Sequence, residues 1–294
     1  MSTQAASRSN PQLAGVLERD GLHAALKLPR AVAAALLGAV LCLLHAAALA
    51  HDSWLYTARA PVAGEVVRMT TGNRFPVGET APSTWNVLRP GCIDKDGSFA
   101  LQPGQQLPEA LVFTAAPRAG APLACWAELD ALDAEIPPAL VPLYMQEIRP
   151  PAPVLEVVRD HAARGVPWRE TYRKYARIEL AAASAASADE RRAARKPLGW
   201  GLEVVVDGEA PVALNQPLTL QVLRDGVPLP GLAIEAVNER SGIGLWQAAG
   251  ADGRFTLRLP LRGRWVLRGT ELQVPAAGST LWYSRFVTLV LEVP

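Results

Sequence analysis

The residues with the greatest potential for chemistry lie in the stretch Ala48-Leu49-Ala50-His51-Asp52. Ala48 and Ala50 are small residues at the two positions that a signal peptidase reads, so the sequence predicts cleavage after Ala50. His51 would then begin the mature protein, with a free α-amine beside its imidazole. These two nitrogens can close a chelate on one metal ion, and imidazole suits Ni, Co and Cu. Binding would weaken in acid, because both nitrogens must lose their protons.

A chelate of two nitrogens needs further ligands from elsewhere in the chain. Asp52 and Glu271 are the carboxylate candidates, and His161 is the other histidine downstream of the cleavage point. His161 follows Asp160 in a segment with helical spacing, which favours a solvated position on the polar side of a helix. In the alternative interpretation His51 has a structural role, starting the first strand and pairing with a neighbouring carboxylate.

The rest of the sequence favours a binding protein over an enzyme. It contains no Gly-x-Ser-x-Gly, His-Glu-x-x-His, phosphate-loop or dinucleotide-binding pattern. The 29 basic and 28 acidic residues nearly balance, and the basic residues are scattered. This distribution predicts no binding to nucleic acid. Contact with a membrane is expected only through residues 31–50.

Residues 31–50 form an apolar run that follows Lys27 and Arg30. These features are typical of a signal peptide and predict export to the periplasm. An apolar run of 20 residues also suits an uncleaved helix, so the alternative is a protein anchored in the inner membrane. Residues 1–50 are therefore assigned to a disordered N-terminus plus signal peptide, with Cys42 inside the apolar run.

Two cysteines remain after cleavage, Cys92 and Cys125. In an oxidising compartment two cysteines more often pair than not, so we predict a disulfide between them. Two buried free thiols or a pair of metal ligands are the alternatives.

Downstream of His51, short apolar segments alternate with turns rich in glycine and proline, a pattern typical of β proteins. We predict two β-sandwich-like domains, one over 51–150 and an immunoglobulin-like or transthyretin-like sandwich over 197–294. A helical segment and linker over 151–196 joins them. Within this segment, the apolar spacing over 154–180 predicts two helices separated at Gly165-Val166-Pro167.

The stretch Ala50-His51-Asp52-Ser53-Trp54-Leu55 resembles the mature start of a periplasmic family of unknown function that is associated with nickel and cobalt uptake. Residues 170–176, 225–231, 251–255 and 282–289 are similar to further stretches of that family. The resemblance therefore covers most of the chain from 51 to 294. The chain departs from the family after Trp265-Val266-Leu267-Arg268, where it has Gly269-Thr270-Glu271 in place of a histidine.

The resemblance implies an accessory protein that captures nickel or cobalt and presents it to the membrane component of an uptake transporter. Two alternatives come from the residues themselves. One is a copper-binding protein or copper enzyme that uses His51 together with a second histidine. The other is a structural or interaction module of the cell envelope that binds no metal.

Overall fold

The computed structural model describes residues 51–294, and the predicted signal peptide lies outside these described residues. As predicted, the described chain is built mainly of β-strands. Strands β1 to β16 are Asp52–Tyr56, Glu65–Gly72, Val87–Asp94, Gly97–Ala100, Gln102–Gln106, Leu111–Thr114, Ala124–Ile136, Trp168–Glu179, Leu202–Val206, Pro217–Arg224, Val227–Pro228, Ala233–Asn238, Gly244–Ala248, Arg254–Arg258, Gly263–Gln273 and Leu281–Val293. Helices α1 to α4 are Val141–Ile148, Ala152–Ala163, Ala182–Ala185 and Ala188–Ala194. Two short 3-10 turns are Thr84–Asn86 and Pro138–Leu140.

An eight-stranded sheet runs through the middle of the described chain, in the order β13-β12-β15-β16-β8-β7-β3-β4. Strands β8 and β16 pair in parallel at its centre, and the other neighbours pair antiparallel. Strands β3, β4 and β7 come from the predicted N-terminal domain, and β12, β13, β15 and β16 come from the predicted C-terminal domain. The two predicted domains thus share one sheet, and β8 connects their halves.

The shared sheet is covered on its two faces by two smaller sheets. The sheet β1-β2-β6-β5 packs on one face through a core that includes Trp54, Met69, Ala176 and Ile178. Strands β9, β10, β11 and β14 pack on the other face through a core that includes Tyr175. Because successive side chains of a strand point to opposite faces, β8 contributes to both cores. Strand β8 is therefore buried on both faces and lies beneath β1, next to the candidate site.

The second predicted helix of the middle segment is wrong. Helix α2 occupies the first part of that segment, but Trp168–Glu179 is strand β8. The alternation expected of a strand is obscured in β8, because the charged residues Glu170 and Lys174 are buried on one face and Tyr175 is buried on the other. Tyr172, Tyr175 and Ala176 therefore happen to match a helical spacing. Aromatic residues such as those that follow the Gly-Val-Pro break are enriched in strands, a signal that the helical prediction did not use.

The predicted disulfide is confirmed between Cys92 and Cys125. The two residues lie directly opposite each other on β3 and β7, at a Cα–Cα distance of 3.9 Å. Both are fully buried beneath the sheet that contains β1. Within residues 51–294, none of the helices has the length and apolar character needed to cross a bilayer.

Candidate functional site

His51 directly precedes β1 and is held by residues that are distant in the sequence. It is 8% exposed, and its Nδ1 lies 3.6 Å from Oε2 of Glu79. Its backbone carbonyl accepts a hydrogen bond of 2.6 Å from Nζ of Lys174 on β8. The carbonyl of His51 is thus hydrogen-bonded to β8, and its ring lies beside a carboxylate.

Glu79 lies on a segment that folds back along the end of β2. Its backbone N–H donates to the carbonyl of Thr71 at 3.0 Å, and its Oε1 accepts from the backbone N–H of Asn73 at 3.2 Å. The approach is close, since a Cβ at Gly72 would lie 2.5 Å from the carbonyl oxygen of Val77. The hydrogen bond to Oε1 orients the carboxylate so that Oε2 faces the ring of His51.

The residues that follow His51 anchor this arrangement. The hydroxyls of Ser53 and Thr71 lie 2.7 Å apart, which ties β1 to β2. Trp54 is 2% exposed and meets Phe75 edge to face, with ring centroids 5.6 Å apart. Phe75 belongs to the same fold-back segment as Glu79. The His-Asp-Ser-Trp stretch thus positions both the histidine and the segment that carries its carboxylate partner.

Asp52 pairs with Arg268 of β15. Nη1 of Arg268 lies 2.7 Å from Oδ2 of Asp52, and Nη2 lies 2.7 Å from Oε2 of Glu235. Burial opposes the charge on Arg268, but the two carboxylates outweigh it and raise the pKa of the guanidinium. Asp52 is therefore held by an ion pair to the shared sheet.

Lys174 is a buried cation beneath the start of β1. It is 5% exposed, and burial lowers its pKa to about 8, although the charge of Asp52 opposes this shift. Its Nζ lies 5.3 Å from the ring centroid of Tyr172 and 5.8 Å from that of Phe286. A buried ammonium group is costly unless it is paired or hydrogen-bonded, and here it donates to the carbonyl of His51.

A small polar cavity of about 90 Å³ borders the residues that hold this arrangement. Its lining includes Asp52, Asn73, Glu147 and Arg268. Burial raises the pKa of Glu147, Arg268 lowers it, and Asp52 raises it further. A volume of this size accommodates about three water molecules. The cavity is suited to water or a small polar group close to the start of β1.

The other two predicted ligands lie in different surroundings. Oε1 of Glu271 accepts from Arg224 at 2.7 Å, and its Oε2 lies 3.4 Å from Arg285. His161 is 8% exposed and meets the ring of Trp282 edge to face at 5.4 Å. Its predicted solvated position is wrong, because α2 packs against the shared sheet through this face.

The four predicted ligands are thus not gathered at one point, and Glu79 is the carboxylate that sequence reasoning missed. Within residues 51–294, no group of three or more His, Cys, Asp or Glu side chains is arranged to hold a metal ion. Glu79 sits in a loop between prolines and belongs to no recognisable motif. Both interpretations of His51 expected a carboxylate near it, and neither identified Glu79.

A second buried polar cluster surrounds Glu170 on β8. Its Oε1 accepts from the hydroxyl of Tyr144 at 2.9 Å and from the hydroxyl of Ser284, and its Oε2 accepts from Nε1 of Trp168 at 2.8 Å. Trp168 stacks on Trp282 with ring centroids 4.6 Å apart. Burial raises the pKa of Glu170, and the hydrogen bonds oppose the shift. The cluster fastens α1 to the shared sheet.

Glu170→Gln is expected to destabilise the fold by about 1–3 kcal/mol, because the amide cannot accept all three hydrogen bonds and leaves a buried donor without a partner. The pKa of Glu170 is raised in the folded state, so its stabilising contribution is complete below its unfolded pKa and is lost as pH rises through the folded pKa. The penalty of the substitution should therefore shrink as pH rises. Urea unfolding across a pH series measures this, with the exposed Glu156→Gln as the control. An equal penalty at every pH would contradict the assignment.

Fold and site together define a disulfide-bonded, mainly β protein with a polar site at the beginning of strand β1. A family model described as "Domain of unknown function (DUF4198)" matches residues 48–270, which include that site. The match covers well over half of the chain, and the chain belongs to this family.

Comparison with other proteins adds little to the family assignment. No curated protein matches the chain. A solved structure, described as "Crystal structure of tetra-tandem repeat in extending region of large adhesion protein", is 12% identical. The match covers 83% of this chain and 49% of that one, so this chain spans about half the length of the adhesion fragment, with a TM-score of 0.22.

Proposed function

We propose that this chain is an exported periplasmic protein whose mature N-terminus, created by cleavage after Ala50, binds a divalent transition metal ion. The ion is nickel or cobalt, and the protein presents it to the membrane component of an uptake transporter. The main support is the position of Glu79, whose Oε2 lies 3.6 Å from Nδ1 of His51.

Nδ1 is the ring nitrogen that can share a metal ion with the α-amine of the same histidine. A carboxylate oxygen beside it adds a third donor and a negative charge. Before cleavage the nitrogen of His51 is part of a peptide bond, so it is not available as a donor. Removal of the leader therefore completes the ligand set, and metal capture is confined to the exported protein.

Two nitrogen donors with one carboxylate suit the borderline ions nickel, cobalt and copper. The choice of nickel or cobalt, and of an uptake transporter as partner, rests on the resemblance of the His-Asp-Ser-Trp-Leu stretch to proteins associated with nickel and cobalt uptake. A copper site built on two histidines would need His161, which packs against Trp282 instead.

Glu79→Gln is expected to weaken nickel binding by the processed protein by roughly tenfold to a hundredfold, because the substitution removes a charged donor beside the ring. Isothermal titration of the exported protein, with its mass confirming His51 as the first residue, measures the effect. Glu109→Gln, an exposed carboxylate on the loop before β6, is the matched control and should bind like the wild type. Equal affinities for all three proteins would exclude Glu79 as a ligand. A wild-type protein that binds neither nickel nor cobalt would overturn the proposed function.

A metal-free structural or interaction module of the cell envelope is the second candidate. It is favoured by the contacts of His51 with Glu79 and Lys174, which hold the residue in place without a metal ion. The same titration separates the two, since this candidate predicts no binding of nickel, cobalt or copper by the processed protein.

A further inference from the structure

Lys174 occupies a position that bears directly on how a metal ion could be held at the N-terminus. It lies on β8, which is hydrogen-bonded on both sides, to β7 and to β16. Its Nζ donates to the carbonyl oxygen of His51 at 2.6 Å, and the rings of Tyr172 and Phe286 flank the ammonium group. The lysine is thus a rigidly placed positive charge on one specific atom of the first mature residue.

An N-terminal histidine offers a metal ion two chelates that share the α-amine. In one, the α-amine acts with the residue's own carbonyl oxygen, and in the other it acts with Nδ1 of the ring. The hydrogen bond from Lys174 uses one lone pair of the carbonyl oxygen of His51, and the positive charge beside this oxygen repels a cation that approaches it. Nδ1, by contrast, faces the carboxylate of Glu79.

We propose that Lys174 determines the coordination mode of the N-terminal site by closing the amine–carbonyl chelate and leaving the amine–imidazole chelate open. This inference rests on the proposed function, because it concerns the same metal ion. It makes Lys174 a specificity-determining residue that contacts His51 and not the ion. Carbonyl and carboxylate ligands suit Mg²⁺, Ca²⁺ and Mn²⁺, whereas imidazole suits nickel and its neighbours. Lys174 therefore excludes the oxygen-preferring cations.

Lys174→Met is expected to reduce the preference of the processed protein for Ni²⁺ over Mn²⁺ by roughly tenfold, the effect typical of a residue that orients a ligand. Both ions are divalent, so loss of the lysine charge alone would strengthen both affinities equally and leave their ratio unchanged. Titrations of both ions with the wild type, Lys174→Met and the exposed control Lys95→Met give the ratio. The control should match the wild type.

A second measurement needs no substitution and so does not depend on how the variant folds. Histidine labelled with ¹³C at its carbonyl marks His51 and His161 in the processed wild-type protein. Infrared difference spectra should show no shift of the His51 carbonyl band when Ni²⁺ binds, because that oxygen stays bonded to Lys174. A shift to lower wavenumber on binding would overturn the inference.

The outcomes separate the two proposals. If the wild type binds neither nickel nor cobalt, the proposed function fails, and this inference fails with it. If the wild type binds nickel but Lys174→Met keeps the same ratio of nickel to manganese affinity, only the role of Lys174 is overturned.

Discussion

A Gly-Ser-Gly-Ser extension ahead of His51 is expected to weaken nickel binding on the order of a hundredfold, since loss of a direct donor costs at least as much as loss of an orienting partner. The extension converts the α-amine of His51 into a peptide nitrogen, which does not bind nickel at neutral pH while it keeps its proton. The imidazole and Glu79 then remain as donors without the chelate. Titration of the extended and the processed proteins, each verified by mass, measures the loss.

The same four residues added after Pro294 provide the control for this extension. That protein keeps the free amine of His51 and should bind nickel like the processed wild type. If the N-terminal extension leaves nickel affinity unchanged, the metal is not held by the amine, and the export-dependent chelate is wrong.

Trp54→Ala is expected to lower the free energy of unfolding by about 3–5 kcal/mol, the usual cost of removing a buried tryptophan. Trp54 is 2% exposed in the core beneath β1, and it packs against Phe75 of the segment that carries Glu79. Its loss leaves a cavity and releases that segment. Urea unfolding monitored by circular dichroism measures the change in stability.

Trp85→Ala is the matched control, because Trp85 is 74% exposed. Its removal should change the stability by no more than about 0.5 kcal/mol. A similar loss of stability in both variants would show that Trp54 does not anchor the core in the way its contacts indicate.

Predictions from the sequence succeeded where the signal is local. The alternation of apolar segments and turns predicted a mainly β chain, and the pair of downstream cysteines predicted the disulfide. Helical spacing correctly predicted α2. The same spacing failed for β8, because buried charged residues and the burial of Tyr175 on the opposite face disrupt the alternation that identifies a strand.

Only part of the candidate site could be predicted from the sequence. His51 and Asp52 drew attention through their position after the predicted cleavage point, which is a local feature of the sequence. No local feature of the sequence distinguishes Glu79 or Lys174 as a site residue. The hydrogen bond between Lys174 and His51 joins residues 123 positions apart, and no periodicity or motif encodes a contact at that separation.

The sequence by itself indicated a strand-rich chain, a pair of cysteines and a histidine directly after the predicted cleavage point. Each of these features depends on residue types and on the spacing between close neighbours. Tertiary structure alone decided which groups face that histidine. It placed β8 under β1 by burying both of its faces, and it folded the Glu79 segment back along β2 through the contact between Trp54 and Phe75. The chemistry open to His51 follows from that packing. The carboxylate of Glu79 favours a positive charge near the ring, and the ammonium group of Lys174 disfavours one near the carbonyl oxygen.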